Sequence, residues 1–364
     1  MFTHRLVFPA SVLRGRGAIK HLGAMCGRLG QRAMLVGGKR AIASVEAKVA
    51  DQLEQQMVSY LGSEIFSGEC CQEEINRLAD IFRTQGVEVI IATGGGKAID
   101  ATKAAGVACN IPVVTLPSIA GTCSAVTSLT FRYHQDGQFR DMFPLPCGPA
   151  AAVIDADLLA TAPLHWLSAG IGDTLAKWYE YRAISDLTQL TGLAGVARTN
   201  SELCYTLIEH FAADACFAVQ EGKANNALEQ VLDAIFLYAG LTSIMSNGAH
   251  TGAAHALYEG FTACAKTRHV AHGLLVGYGN LCLLALEGRS DEELQTAIAL
   301  AQASAVPTQL SQLAVGITEE DLAVIIDRSL STPDMGNMPG EIEFGAIRSA
   351  IERVEQLSLP EPKH

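Results

Sequence analysis

The chain is short of charge and has no surplus of cations. Only 18% of its 364 residues are Asp, Glu, Lys or Arg, and the formal net charge is −12. Such a balance argues against nucleic acid or an anionic membrane surface as the main partner. No basic segment followed by an apolar block stands at the start, so no secretory signal is expected. Long hydrophobic runs are missing as well. The longest stretch without a charged residue, Ala104–Phe131, holds Pro112, Pro117 and many Ser and Thr, which excludes a membrane span there. The ten cysteines show neither Cys-x-x-Cys spacing nor a framework pattern. They read as reduced thiols of a cytoplasmic protein.

What is present is enough apolar residue, 49%, for a large packed core, and enough length for two domains. The chain pivots on Val89–Asp100. Val89, Ile90 and Ile91 read as a buried strand, and Gly94, Gly95 and Gly96 lead directly into residues that favour helix. Glycines at a strand-to-helix junction let the backbone approach a ligand and turn its N–H groups toward it. The helix adds its positive end and Lys97 a full charge, so a phosphate suits the place. The turn matches neither G-x-G-x-x-G nor a P-loop, and a tight turn without a ligand is the plainer alternative.

Around the pivot, residues 1–160 alternate strands and helices. Strands are expected at Arg5–Pro9, Arg32–Val36, Val58–Phe66, Ile111–Leu116 and Ala151–Ile154. Helices are expected at Gly15–Leu29, Ala41–Gln56 and Cys71–Thr84. Leu129–Tyr133 and Phe139–Phe143 read as a hairpin. This alternation implies an α/β domain with an open parallel sheet of the Rossmann-like kind. Residues 161–364 show no convincing strand. Their helical segments include Gly172–Leu190, Ser201–Gln220, Asn225–Met245, Gly252–Ala265 and His272–Glu287, and Ser331–Glu343 reads as a surface loop. The second domain is therefore expected to be all-α, with Ala234–Met245 and Gly273–Leu286 central because they are apolar all round.

Three side chains in the helical half form a candidate metal set. They are Asp173 in Gly172-Asp173-Thr174, His255 in an apolar helix, and His272 at the start of the next. One carboxylate and two imidazoles suit a divalent cation and leave a position open for substrate. Asp173 as a helix cap, His255 as a hydrogen-bonded core histidine and His272 as a surface residue are the alternatives. His250 and His269 compete for the same role, and periodicity does not separate them.

Taken together, Thr93–Asp100, Pro117–Thr122, Gly172-Asp173, Ala253–Ala256 and His272-Gly273 resemble the glycerol dehydrogenases of the iron-containing, often zinc-using, alcohol dehydrogenase family. Gly172–Glu180 and Gly38–Ala43 are similar to the hydroxycarboxylate dehydrogenase branch. The resemblance implies a dehydroquinate synthase-like fold, with the active site between a nucleotide-binding domain and a helical metal domain. It also implies an NAD(P)-linked oxidoreductase acting on a small alcohol, one divalent metal with zinc favoured over iron, and a homo-oligomer. It assigns Asp173, His255 and His272 to the metal. It places Gly94, Gly95, Gly96, Lys97 and Asp100 at the cofactor pyrophosphate and nicotinamide, and Thr115, Ser118, Thr127, Leu129 and Tyr133 along the cofactor cleft.

Three departures bear on specificity. Cys123 stands where glycerol dehydrogenases carry an Asp that holds a substrate hydroxyl. Lys177 stands one helical turn after Asp173, where a larger branch has a histidine ligand; its ammonium suits a substrate carboxylate, and snorkelling to solvent is the alternative. Gly38 and Lys39 occupy the turn where NAD-specific relatives place an Asp for the ribose 2′-hydroxyl, so NADP would be tolerated or preferred. A 2-hydroxy or 2-oxo acid is thus favoured over glycerol. A lyase of the dehydroquinate synthase type is disfavoured, because no cationic cluster accompanies the ligands.

Overall fold

The computed structural model describes residues 6–185, 192–246 and 250–359. Along the chain the first elements are β1 (Val12–Gly15), α1 (Leu22–Gly27), β2 (Arg32–Gly37), α2 (Lys39–Glu54), β3 (Ser59–Ile65), α3 (Gln72–Gln85), β4 (Val89–Gly94) and α4 (Gly96–Cys109). Then come β5 (Val113–Pro117), β6 (Leu129–Tyr133), β7 (Phe139–Pro144), β8 (Ala151–Asp155) and α5 (Ala156–Leu159). The helical part runs through α6 (Leu164–Ile184), α7 (Gly192–Gln220), α8 (Asn226–Leu232), α9 (Ala239–Met245), α10 (Ala253–Ala263) and α11 (His272–Leu286). It closes with α12 (Asp291–Ala303), α13 (Leu310–Leu313), α14 (Glu319–Leu330) and α15 (Phe344–Leu357). A π-helical turn, Asp233–Tyr238, joins α8 to α9.

The chain forms two compact units. Residues up to Pro163 together with Ala218–Leu232 make the first, and Leu164–Phe217 with Asp233 onward make the second.

In the first unit six parallel strands lie in the order β1-β8-β5-β4-β2-β3. Strand residues alternate between two covered faces, which is why the central strands read as unbroken apolar runs. Ala33, Leu35, Val89, Ile91, Val114, Leu116, Ala151 and Val153 share one core with Leu22 of α1 and Ile42, Val45, Val49 and Leu53 of α2. The opposite face carries α4. A side chain at Gly106 of that helix would run into Val113, with Cγ2 2.4 Å from the added Cβ. β2 is flanked by β3 on one side and β4 on the other, so the chain reverses its direction of travel across the sheet between β2 and β4. In open parallel sheets, ligands bind outside the carboxyl ends of strands at such a reversal. The Gly37-Gly38 and Gly94–Gly96 turns are the carboxyl ends of those two strands.

The expected strand at Arg5–Pro9 is corrected to Val12–Gly15, which pairs in register with Ala152–Asp155; Arg5 lies outside the described residues. Pro9 brings no N–H to a ladder, whereas Val12–Arg14 do. The expected helix over Gly15–Leu29 is broken. Gly17 takes a left-handed φ of 69°, a 3₁₀ turn follows over Ala18–His21, and only Leu22–Gly27 is α-helical. Asp155 fastens this entry by accepting from Ile19 N at 2.8 Å.

In the second unit α11 is almost wholly buried, as its all-round apolarity requires. Ala234–Met245 is less enclosed, with Leu237, Tyr238, Leu241, Ile244 and Met245 part-exposed. The helical run Asn226–Met245 is long and apolar enough to cross a membrane, yet 61% of its apolar window is buried, as in a globular core. Helix α6 begins at Leu164 rather than Gly172. Gly170 and Gly172 have poor helix propensity, and packing overrides it. A Cβ on Gly172 would lie 2.1 Å from Gly273 O, and one on Gly273 would lie 1.8 Å from Ala169 O. The expected end of this helix at Leu190 falls outside the described residues. Ser331–Glu343 is not purely surface: Thr332, Met335 and Met338 are buried.

Candidate functional site

The glycine-to-glycine contact of α6 with α11 explains why each of two candidate ligands has a glycine for a neighbour. Gly172 precedes Asp173 and Gly273 follows His272, so the closest approach of the two helices sets these side chains side by side. His255 comes from the first turn of α10, which α11 approaches closely through Gly279, where a Cβ would lie 2.7 Å from Ala254 O. The structure brings Asp173, His255 and His272 together, with one ligand atom from each within 4.8 Å of the others. Asp173 Oδ1 is 3.8 Å from His255 Nε2 and 3.7 Å from His272 Nε2. Ligands held at about 2.0–2.1 Å by a tetrahedral zinc lie roughly 3.4 Å apart, a few tenths of an ångström less than the separation of Asp173 Oδ1 from either imidazole. The donor chemistry and the spacing fit a divalent cation. His250 and His269 are not members of this cluster, although His250 lies near enough to feel the charges of Lys177 and Asp173. His250 is buried between Ser243 Oγ (3.2 Å) and Ser246 Oγ (2.9 Å), and His269 is exposed.

The electrostatics of this buried cluster are uneven. Burial pushes the Asp173 carboxyl up, but Lys177 first, then His272 and His255, hold it well below the usual carboxylate range. Lys177 Nζ lies 3.0 Å from Asp173 Oδ1, and both side chains are nearly inaccessible. The snorkelling alternative for Lys177 is thereby excluded. Burial lowers His272 despite the pull of Asp173. Burial also disfavours charge on His255, yet the Glu180 carboxylate raises that imidazole above its ordinary value. Tyr258 closes one side, edge-on to His272 with ring centroids 4.2 Å apart.

In the first unit, Gly94 takes a φ of 122°, a conformation that an L side chain rarely adopts, and ends β4. Gly95 is the N-cap of α4 and offers no side-chain cap, so the first N–H groups of the helix are left for another acceptor. A Cβ on Gly95 would meet Ile119 Cδ1 at 2.6 Å, so a larger residue here would have to displace that side chain. Ser118 N donates to Gly94 O, which lays the loop after β5 against the turn. Gly38 caps α2 in extended conformation with open space where a Cβ would stand, and Lys39 beside it is exposed.

Other expected cofactor residues have different surroundings. Lys97 Nζ is 2.8 Å from both oxygens of Glu69 and 4.2 Å from the Tyr133 ring centroid, so its charge is already matched. Asp100 turns inward. It is 3% exposed, pairs with Lys103 at 2.8 Å, and accepts from Ser124 Oγ and from Phe131 N (3.0 Å). Thr115 is fully buried and donates to Ala125 O at 2.7 Å. The carbonyl oxygens of Thr127 and Leu129 accept from Lys103 Nζ at 2.9 and 2.7 Å. These residues hold the Ser124–Phe131 segment in place from behind. Sequence reasoning missed Lys103, although its spacing of three from Asp100 was visible, and it missed Glu69, which is too distant in sequence to signal itself. Replacing Lys103 by Met keeps the volume but strands the Asp100 carboxylate; a loss of about 3–5 kcal/mol of stability is expected, checked by urea denaturation.

A parallel nucleotide-type sheet with glycine turns at its reversal, followed by helices that gather a carboxylate and two imidazoles, is an arrangement that fits a metal-dependent alcohol dehydrogenase. The family described as iron-containing alcohol dehydrogenase matches residues 9–156. Glycerol dehydrogenase of Pseudomonas putida is 32% identical over 358 residues, 96% of each chain. Hydroxycarboxylate dehydrogenase A of Escherichia coli K12 is 28% identical, covering 96% of this chain and 97% of its own. The crystal structure of a probable glycerol dehydrogenase from Sinorhizobium meliloti 1021 superposes with a TM-score of 0.85 at 27% identity, over 98% of this chain and 99% of that one. The chain belongs to the iron-containing alcohol dehydrogenase family, and it is an oxidoreductase that acts on CH–OH groups.

Proposed function

We propose that this dehydrogenase transfers hydride between NAD(P) and a 2-hydroxy or 2-oxo carboxylic acid, with Asp173, His255 and His272 as its metal ligands. The observation that carries the substrate reading is the Lys177 ammonium, buried 3.0 Å from Asp173 Oδ1. The same oxygen faces both imidazoles. A divalent cation held by this trio supplies Lewis acidity toward the oxygen of the CH–OH group. Lys177 would then share the Asp173 carboxylate with a second cation, and a substrate carboxylate would offer its ammonium a further acceptor. A carboxylate-bearing substrate can pair with the Lys177 ammonium as well as the cation, and a neutral polyol cannot. Cys123 supports the same reading, since a thiol is a poor acceptor for a polyol hydroxyl.

On the first unit, the uncapped N–H groups at Gly95 and Gly96 would hold the cofactor pyrophosphate. Gly38 and Lys39 would face the adenosine ribose. With no acid at that turn, a 2′-phosphate is accepted, so NADP is tolerated or preferred. The open space at Gly38 makes this testable. Gly38→Asp should shift the preference toward NAD by about 10- to 100-fold, because a carboxylate accepts from a 2′-hydroxyl and repels a 2′-phosphate. The kcat/KM ratio for the two coenzymes measures it. The two-imidazole, one-carboxylate set suits zinc or iron, and the family's frequent use of zinc makes zinc the first metal to test.

Glycerol is the second reading, favoured by the 32% identity to a glycerol dehydrogenase over nearly the whole chain. Metal analysis of the purified protein, with a matrix of both coenzymes against 2-oxobutanoate, 2-oxoglutarate and glycerol, separates the two. A clear preference for glycerol sinks the lysine argument.

A further inference from the structure

Glu180 lies seven residues beyond Asp173 on α6, with Lys177 between them, so all three project from one helix face. Its side chain is fully buried, and among the described residues its hydrogen bonds go to the start of α10. Oε1 accepts from Gly252 N at 2.8 Å and from His255 N at 2.9 Å. Oε2 lies 2.6 Å from His255 Nδ1. Gly252 is the N-cap of α10 and has no side chain to cap it, so Glu180 satisfies backbone donors that the helix cannot satisfy itself. A carboxylate only accepts, so Nδ1 must carry the proton. The Nε2 lone pair then points away from Glu180, toward Asp173.

We propose that Glu180 is the positioning residue that makes His255 a metal ligand, fixing the ring's tautomer and its direction from the opposite edge. This rests on the reading of Asp173, His255 and His272 as the metal site. One carboxylate thereby couples the start of α10 to the donor atom that the helix presents. Neither His272 nor Asp173 touches Glu180 among the described contacts. The effect should therefore run through His255 alone.

The test substitutes Glu180→Gln. The amide must turn its NH₂ either toward two backbone N–H groups or toward Nδ1. The first arrangement repels the helix start. The second demands the wrong tautomer and puts a proton on the ligating nitrogen. The readout is the Zn²⁺ dissociation constant of the full chain, from titration with metal alone against a competing chelator. E180Q should bind Zn²⁺ about 10- to 100-fold more weakly than wild type. In an H255A background, titrated at Zn²⁺ concentrations high enough to load the two remaining ligands, the same substitution should change the weak residual affinity by less than about threefold, since the His255 imidazole is no longer there to orient. Thermal melting of the metal-stripped proteins shows that each variant is folded. Glu180→Asp, which keeps the charge with a shorter reach, should recover part of the loss. The proposal is overturned if E180Q matches wild type, or if its effect is as large without His255. A folded wild-type chain that takes up no Zn²⁺ overturns the metal reading itself, and this proposal with it.

Discussion

Replacing Asp173 or His255 with Ala should remove the bound metal and abolish turnover together. Each substitution takes away one of three ligand atoms that lie within 4.8 Å of one another. Asp173→Ala also leaves the buried Lys177 ammonium beside two imidazoles with no carboxylate between them. A Lewis acid contributes several kcal/mol to stabilising charge on the reacting oxygen. A fall in kcat/KM of about 10³-fold or more is expected, at 1.36 kcal/mol for each factor of ten. Exhaustive chelation of the wild type should have the same effect, and Zn²⁺ should restore it. Metal stoichiometry and steady-state rates on the same preparations check this. Turnover that survives chelation, or an Asp173→Ala protein with full metal and full rate, would defeat the assignment.

The second large effect is expected at Lys177. Lys177→Met fills the same buried space and removes only the charge. For 2-oxobutanoate, the loss of a buried ion pair to the substrate carboxylate should cost about 2–3 kcal/mol. That is about 30- to 150-fold in kcat/KM. For glycerol, which brings no carboxylate, the change should stay within about fivefold. The selectivity between the two is the decisive quantity, because a lysine that merely steadied Asp173 would weaken both substrates equally. Equal losses would remove the substrate argument and leave Lys177 as a partner of the metal carboxylate.

Much of the first unit could be read from residue order. β4 and its glycine turn, the β6–β7 hairpin and the strands near Ala33, Tyr60, Val114 and Val153 stand where period and turn chemistry put them. These are local signals: a doubly covered parallel strand is apolar throughout, and Gly94 is needed wherever φ is strongly positive. Errors came where long-range packing overrode propensity. Helix α6 runs through Gly170 and Gly172, which a local reading treats as a boundary. Asp100, which the resemblance places at the cofactor, has in addition partners that its glycine-rich motif does not announce: Lys103 and the Phe131 backbone.

By itself the sequence determined the two structural styles, the glycine turn, and the residue types that can hold a cation. Spacing along one chain carries that information, because strand and helix periods are local. Apart from the family resemblance, it did not separate His255 and His272 from His250 and His269, since nothing local marks which imidazoles converge. Tertiary structure decided that through the glycine contact of α6 with α11, which no side chain would permit. It also decided the partners of Glu180 and Glu69, which lie far off in sequence, and the burial of Lys177: a charge taken out of water must find its counterpart, as Glu180 does in His255 and Lys177 in Asp173.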